Sequence, residues 1–280
     1  MEVRVRALMT AYDCQFDTIQ PKLQEIDHDY GDQFHILADP YLLTLLSDLC
    51  SQETFQPRIN EMISRIYHSL LQKVVIQEFD FIRKKVPSRM CEFHPQEGIY
   101  EGPVLNPDQK VVTVNLARAG TVPSQIVYSE LNYLIDPKSV RQDHISISRK
   151  TDQNEKVVGS RVSGHKIGGP IQDAILLFPD PMGATGATLV EAFQLYKDFG
   201  SPKKAIAIHC IVTPEYIRNI KAHAPGLQVY AARLDRGLSA PETLKTKPGS
   251  QLEKEKGLNN KDYIVPGGGG FGEVLNNAFV

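Results

Sequence analysis

Short apolar runs alternate with helix-like segments over the second half of the chain. Five of these runs are continuous rather than alternating, which predicts strands buried on both faces. Strands of this kind, separated by helices, indicate a parallel sheet covered on both sides. The sequence therefore predicts an α/β fold, a parallel sheet flanked by helices. The predicted strands span residues 111–116, 144–148, 174–178, 205–212 and 227–232.

Two amphipathic segments among these strands predict helices with well-marked ends. Residues 188–199 carry apolar side chains at helical spacing and stop at Gly200, with Pro202 just beyond. Residues 214–223 follow Thr213, a good N-cap, and begin with proline. Helices in these places can connect consecutive parallel strands.

The first hundred residues have a different pattern. Residues 40–49 and 59–81 place apolar side chains three and four positions apart, which predicts two helices. A turn-rich stretch, residues 87–107, separates them from the first predicted strand. We therefore expect a helical N-terminal region, residues 1–104, packed on a core of residues 105–280. Its apolar faces exceed what one sheet needs, so we also expect a homodimer or homotetramer.

Composition and charge narrow the class of protein. Hydrophobic side chains make up 41% of the 280 residues, enough for a large core. The 31 Lys and Arg nearly balance the 33 Asp and Glu, so no global field attracts nucleic acid or an anionic membrane surface. No signal-peptide pattern and no membrane-spanning apolar run occurs. We expect a cytoplasmic protein without nucleic-acid or membrane partners.

Cysteine and histidine spacing does not suggest a metal site. Cys14, Cys50, Cys91 and Cys210 are far apart and form no CxxC pair. The eight histidines are scattered, with no HExxH arrangement. We expect free thiols and no protein-bound metal.

The most specific local pattern is an apolar strand, an acidic residue, a turn of small residues and a helix, at residues 174–188. Ligands of such sheets bind at the carboxyl ends of strands, and a helix start offers free N–H groups to an anion. We expect this loop to bind a phosphoester, with Asp180 accepting hydrogen bonds from sugar hydroxyls. A plain strand-to-helix turn is the alternative, and without a GKS or GKT sequence a Walker loop is a poor match. The expected loop comprises Asp180, Pro181, Met182, Gly183, Ala184, Thr185, Gly186, Ala187 and Thr188.

These residues resemble the phosphoribosyl pyrophosphate (PRPP) loop of type I phosphoribosyltransferases, specifically the uracil branch, in which proline follows the acidic residue. Residues 116–120, Leu-Ala-Arg-Ala-Gly, resemble the family's Leu-Arg-Ala-Gly loop. Residues 263–267, Tyr-Ile-Val-Pro-Gly, resemble its uracil-binding motif. The resemblance covers residues 105–280. It implies a uracil phosphoribosyltransferase of pyrimidine salvage, which forms UMP and pyrophosphate from uracil and PRPP, with Mg²⁺ bound to PRPP.

The resemblance also implies roles for single residues. Arg118 and Arg149 would bind the pyrophosphate of PRPP, since a guanidinium donates in forked geometry to phosphate oxygens, although Arg149 matches by position and context only. Arg118 and Asp180 would be the catalytic residues, and no general base is assigned. The residues that would bind uracil are Tyr263, Ile264, Gly269, Gly270 and Phe271, in a C-terminal glycine-rich loop.

The chain departs from the family pattern in two regions. Gly270 stands where the family usually has an Asp associated with PRPP and its magnesium, and Glu273 replaces a second Asp. This loss would lower activity, move the metal contact to Glu273 or another group, or mark a regulatory homologue. An insertion between Gly237 and Gly257 would act as a lid or an oligomer contact. The alternatives are thus a PRPP- or UMP-binding sensor and a phosphoribosyltransferase for another base.

Overall fold

A computed structural model describes residues 22–151 and 157–278, except for the side chains of residues 148–151 and 157–161. Within this part the chain forms one eight-stranded sheet and a separate two-stranded hairpin. The strands are β1 Phe34–Ile36, β2 Phe81–Pro87, β3 Ile99–Leu105, β4 Val111–Ala117, β5 Val140–Thr151, β6 Val157–Lys166, β7 Ile175–Pro179, β8 Met182–Gly183, β9 Lys204–Val212 and β10 Leu227–Leu234. The α-helices are α1 Pro40–Leu49, α2 Arg58–Glu78, α3 Thr121–Leu134, α4 Ala187–Leu195, α5 Pro214–His223, α6 Pro241–Leu244 and α7 Phe271–Val274.

The sheet has the strand order β1-β10-β9-β7-β4-β5-β6, and β8 pairs with the end of β9. All neighbours are parallel except β6, which runs antiparallel to β5 at one edge. This arrangement confirms the predicted, mostly parallel sheet. The opposite edge was not predicted, because β1 is only three residues long and belongs to the segment expected to be helical.

Alternate residues of the central strands enter two separate cores. In β7, Ile175 and Leu177 pack in the core that contains residues of α1, α2 and α3, whereas Leu176 and Phe178 pack with residues of α4 and α5. Side chains of a strand alternate between its two faces, so a sheet covered on both sides needs apolar residues at every position. The continuous apolar runs therefore predicted these strands correctly.

The helix ends follow the capping signals of the sequence. The predicted helix behind Thr213 has the expected bounds, and the Thr213 hydroxyl accepts a hydrogen bond from the Tyr216 N–H at 3.0 Å. Asp39 caps α1 in the same way through the Tyr41 N–H, also at 3.0 Å. The helix expected over residues 188–199 is α-helical only to Leu195 and finishes as a 3₁₀ turn, a common way for a helix to end.

Residues 81–105 form the hairpin β2–β3 rather than a helix end followed by turns. The predicted helix over residues 59–81 ends at Glu78, and every residue of β2 is exposed. Pro87 at the end of β2, and Gly102 and Pro103 inside β3, hide the strand pattern, since these residues normally interrupt strands. β2 therefore lies outside both cores.

The insertion between Gly237 and Gly257 packs on the beginning of the described chain. Glu255, which is 1% exposed, contacts the Tyr30 hydroxyl and accepts hydrogen bonds from Arg236 Nη1 at 3.0 Å and the Gly249 N–H at 2.7 Å. Lys247 Nζ lies 2.7 Å from Asp29 Oδ1. These contacts attach the insertion to residues 29 and 30.

The structure also bears on the cysteines and on possible membrane-spanning helices. Cys50, Cys91 and Cys210 are free thiols, and Cys14 lies outside the described residues. Among residues 22–151 and 157–278, no helix is both long and apolar enough to cross a membrane.

Candidate active site

A cleft of about 520 Å³ opens at the carboxyl ends of β4 and β7. Three loops that the sequence singled out meet there: the loop after β4, the loop after β7 and the glycine-rich loop before α7. Its lining consists of Leu116, Ala117, Arg118, Ala119, Ile147, Asp180, Met182, Ala184, Thr188, Asp262, Tyr263, Ile264, Gly269, Gly270, Phe271, Gly272 and Glu273.

Most of the predicted site residues line this cleft, and the others support or lie outside it. Pro181, Gly183, Thr185, Gly186 and Ala187 belong to the loop after β7 but are not part of the lining. The backbone of Arg149 lies in β5, while its side chain is outside the described part of the chain.

Two glycines bring the loop after β7 against the ring of Tyr216 in α5. A Cβ added at Gly183 would lie 2.9 Å from Val212 Cγ1 and 3.1 Å from the Tyr216 ring, and one at Gly186 would lie 3.2 Å from that ring. Gly186 also has φ +77°, a conformation that favours glycine. Small residues at both positions are therefore required by the close packing of the loop on α5.

The carbonyl groups of this loop are held from α5. Thr213 Oγ1 donates to the carbonyl oxygen of Ala184 at 2.6 Å, and Asn219 Nδ2 donates to that of Thr185 at 2.7 Å. These bonds occupy acceptors. At the start of α4 the Ala187 N–H donates to Thr185 Oγ1 at 3.3 Å. Since the other N–H groups of the first helical turn lack intrahelical partners, the start of α4 is suited to an anion in the cleft.

A buried histidine fixes the backbone at Asp180. His209 Nδ1 lies 2.6 Å from the Asp180 carbonyl oxygen, and its Nε2 lies 2.7 Å from the Tyr216 hydroxyl. A carbonyl can only accept, so Nδ1 carries the proton and Nε2 accepts from Tyr216. Burial lowers the pKa of His209 to about 4, which keeps the ring neutral. This network was not predicted from the sequence, where its only signal is a histidine inside the apolar run of β9.

The Asp180 carboxyl group lies at the cleft wall with an altered acidity. Removal from water raises its pKa from 3.8 to about 7, although a hydrogen bond from the Met182 N–H acts in the opposite direction. The ionised form of Asp180 can accept hydrogen bonds from hydroxyl groups of a ligand.

The Arg118 guanidinium lies in the same cleft, opposite a carboxylate. Its Nη2 is 3.6 Å from Glu273 Oε1, and its Nη1 donates to the Ala278 carbonyl oxygen at 3.4 Å. The Arg118 side chain is 46% exposed, so it remains accessible to a ligand. A planar guanidinium can donate two parallel hydrogen bonds to a phosphate group.

The glycine-rich loop is anchored by an ion pair at the end of β10. Asp235 Oδ2 accepts from the Gly267 N–H at 2.8 Å, and Arg233 Nη2 donates to the Gly267 carbonyl oxygen at 3.3 Å. Arg233 also donates to both oxygens of Asp235, at 2.7 and 2.8 Å. Gly267 has φ +57°, and a Cβ there would overlap the Ile264 carbonyl. The pair therefore fixes the turn behind Ile264, a role that was not predicted from the sequence.

The acidic side chains of the cleft suit an ion that arrives with a ligand. In the described residues, no three His, Cys, Asp or Glu side chains are grouped so as to hold a metal. Asp180, Asp262 and Glu273 nevertheless line the cleft. Mg²⁺ prefers oxygen ligands and commonly takes several of them from phosphate and water. One or two of these carboxylates would be sufficient for a magnesium ion bound to a phosphorylated ligand.

Comparisons with known proteins point to one family. The family model described as "Uracil phosphoribosyltransferase" matches residues 36–250. The curated uracil phosphoribosyltransferase of Thermococcus sibiricus is 24% identical over 234 residues, covering 84% of this chain and 85% of its own. That of Nicotiana tabacum is 25% identical over 247 residues, covering 87% and 94%. A solved structure from Aquifex aeolicus, 19% identical, has a similar fold with a TM-score of 0.66 over 88% of this chain and 99% of its own.

Proposed function

The chain belongs to the uracil phosphoribosyltransferase family, and from this we propose that it converts uracil and PRPP to UMP and pyrophosphate in pyrimidine salvage. One observation carries the proposal: a single cleft joins the loop after β7, the Arg118 loop and the glycine-rich loop. The reaction needs one site each for the 5-phosphate, the leaving pyrophosphate and the base. The three loops supply three chemically different surfaces for them.

The loop after β7 would hold the ribose 5-phosphate. The helix start at Ala187 favours an anion, and the Thr185 and Thr188 hydroxyls can donate to phosphate oxygens. Asp180 would accept hydrogen bonds from the ribose hydroxyls, since a carboxylate repels the phosphate itself. Proline at position 181 matches the uracil branch of the family.

Arg118 would bind the pyrophosphate, with Arg149 as a second cation. Negative charge builds on the leaving group as the ribose carbon separates from it, so a fixed guanidinium stabilises the transition state more than the substrate. Magnesium bound with PRPP would neutralise part of the same charge. Positioning and electrostatic support are sufficient for this step, and we assign no general base.

The glycine-rich loop would bind uracil through Tyr263, Ile264, Gly269, Gly270 and Phe271. Main-chain N–H and C=O groups of a fixed loop can match the alternating donors and acceptors of the pyrimidine ring. The Arg233–Asp235 anchor supports this assignment, because recognition by backbone groups requires a rigid loop. Cytosine would leave buried polar groups unpaired and would bind less well.

The experiment that tests the proposal measures UMP formation from uracil, PRPP and Mg²⁺. Cytosine, adenine and hypoxanthine serve as competing bases. Asp180→Ala should abolish turnover, whereas Asp198→Ala, an exposed acid on the 3₁₀ turn after α4, should not. Turnover with another base alone would favour the alternative substrate.

The second candidate function is a PRPP- or UMP-binding sensor, and Gly270 is the residue that favours it. It lacks the carboxylate that the family usually has at this position. Measurable binding of PRPP or UMP, without turnover of any base, would establish the sensor in place of the enzyme.

We also propose that the protein self-associates as a homodimer or homotetramer. The hairpin β2–β3 exposes large apolar side chains that the two cores do not cover, and such surfaces commonly mark interaction sites. These side chains are Phe81, Ile82, Val86, Met90, Phe93 and Tyr100. Sedimentation equilibrium of the wild type and of a Phe93→Ser variant tests this, since a monomeric wild type contradicts it.

A further inference from the structure

The Glu273 carboxylate occupies the space that a side chain at position 270 would need. A Cβ added at Gly270 would overlap Glu273 Oε2, at a separation far below the 3.0 Å minimum observed for Cβ contacts. It would also lie 3.3 Å from Tyr263 Cε1. Glu273 lies in the first turn of α7, and its N–H donates to the Gly270 carbonyl oxygen at 3.0 Å. The absence of a side chain at position 270 is therefore what lets this carboxylate lie where it does.

The same carboxylate is available to a ligand. The described cation nearest to it is Arg118, at 3.6 Å, which exceeds the usual length of a hydrogen bond. In the described part of the chain, no side-chain or backbone donor forms a hydrogen bond to Glu273 Oε1 or Oε2. The side chain is 25% exposed and lines the cleft. A half-buried carboxylate with free lone pairs is a good ligand for a cation or a hydroxyl group.

The position beside Arg118 decides between these two ligands. Arg118 is the residue proposed to bind the pyrophosphate of PRPP, and a carboxylate next to it repels that anion unless a cation lies between them. Mg²⁺ accepts carboxylate and phosphate oxygens together. We propose that Glu273 contacts the magnesium ion bound with PRPP, directly or through one of its waters, and acts from the space left by Gly270. This inference rests on the proposed function.

The test is PRPP binding by equilibrium dialysis over a series of Mg²⁺ concentrations. The affinity of the wild type for PRPP should rise with Mg²⁺. In Glu273→Gln, the factor by which Mg²⁺ raises this affinity should be smaller by about tenfold or more, while metal-free PRPP should bind at least as well as to the wild type. The matched control is Glu253→Gln, an exposed glutamate of the insertion. Thermal melts identify variants that fail to fold.

A carboxylate swap gives a second, independent readout. Gly270→Asp should displace the Glu273 carboxylate, because a Cβ at position 270 overlaps Oε2, the free end of that side chain. Gly270→Asp combined with Glu273→Ala removes the overlap and returns a carboxylate to the same space, so it should regain most of the Mg²⁺-dependent affinity that Glu273→Ala alone loses.

The outcomes separate this inference from the proposed function. If Glu273→Gln binds PRPP as tightly as the wild type at saturating Mg²⁺, or more tightly, Glu273 does not contact the ion and the inference is overturned. If the wild type binds Mg–PRPP but turns over no base, the enzymatic proposal fails while the role of Glu273 is still decided by binding. A wild type that does not bind PRPP overturns both.

Discussion

The carboxylate of Asp235 accepts the backbone N–H of Gly267 at 2.8 Å and so ties the end of β10 to the glycine-rich loop. Asp235 is 3% exposed, and its partner Arg233 donates to the carbonyl oxygen of the same glycine. Both backbone groups of one turn residue are thus bound to a single ion pair. The sheet therefore helps to hold the loop in position at Gly267.

The first prediction tests this anchor. Asp235→Asn keeps the size of the side chain but removes the charge that Arg233 requires, and we expect a cost of about 1–3 kcal/mol in loop positioning. The KM for uracil should rise at least several-fold more than the KM for PRPP. Asp108→Asn, an exposed acid in the turn before β4, is the control. Equal increases in both KM values would contradict a specific role in base binding.

The second prediction concerns the packing of the loop after β7. Gly183→Ala places a methyl group 2.9 Å from Val212 Cγ1 and 3.1 Å from the Tyr216 ring. Overpacking of this kind should destabilise the protein by about 1–3 kcal/mol in urea denaturation and weaken PRPP binding. Gly164→Ala in β6 is the matched control, because a Cβ there meets no atom within 4 Å. Equal stability of the two variants would show that the loop can move away from α5.

The third prediction is a pH dependence caused by Asp180. Its pKa is about 7 in the folded protein against 3.8 ordinarily, so the folded state binds the proton more tightly than the unfolded state. Its contribution to stability is complete below about pH 4 and is lost as the pH rises to about 7. Asp180→Asn removes this term, so the stability of the wild type relative to the variant should fall across that window.

This comparison also isolates Asp180 from His209. The lowered pKa of His209 acts in the opposite direction, since its unfavourable contribution disappears as the pH rises from about 4 to 6.5. Both proteins retain His209, so its effect cancels in the difference between their free energies of unfolding. A difference independent of pH would mean that Asp180 titrates normally.

The sequence predicted the centre of the sheet and the three loops of the cleft, but not how they are held. Continuous apolar strands are a local pattern, and so are the acidic strand end and the Tyr-Ile-Val-Pro-Gly motif. The anchors are contacts between distant segments: His209 with Asp180, and Asp235 with Gly267. No local pattern encodes such pairs. The hairpin β2–β3 was missed because β2 is exposed throughout and both strands contain proline.

The last prediction concerns Glu255 and the role of the insertion. Glu255 is 1% exposed and contacts Tyr30, Arg236 and the Gly249 N–H. Removing its carboxylate leaves the largely buried Arg236 without its charged partner, and the loss of one partner of a buried ion pair typically costs about 3–5 kcal/mol. Glu255→Ala should therefore destabilise the protein strongly in urea denaturation, whereas Glu253→Ala, exposed in the same segment, should not. No insertion residue lines the cleft. The folded fraction of Glu255→Ala should therefore have the same KM values for uracil and PRPP as the wild type. Altered KM values at wild-type stability would instead identify the insertion as a lid, and the contacts with Tyr30 would then have to open during turnover.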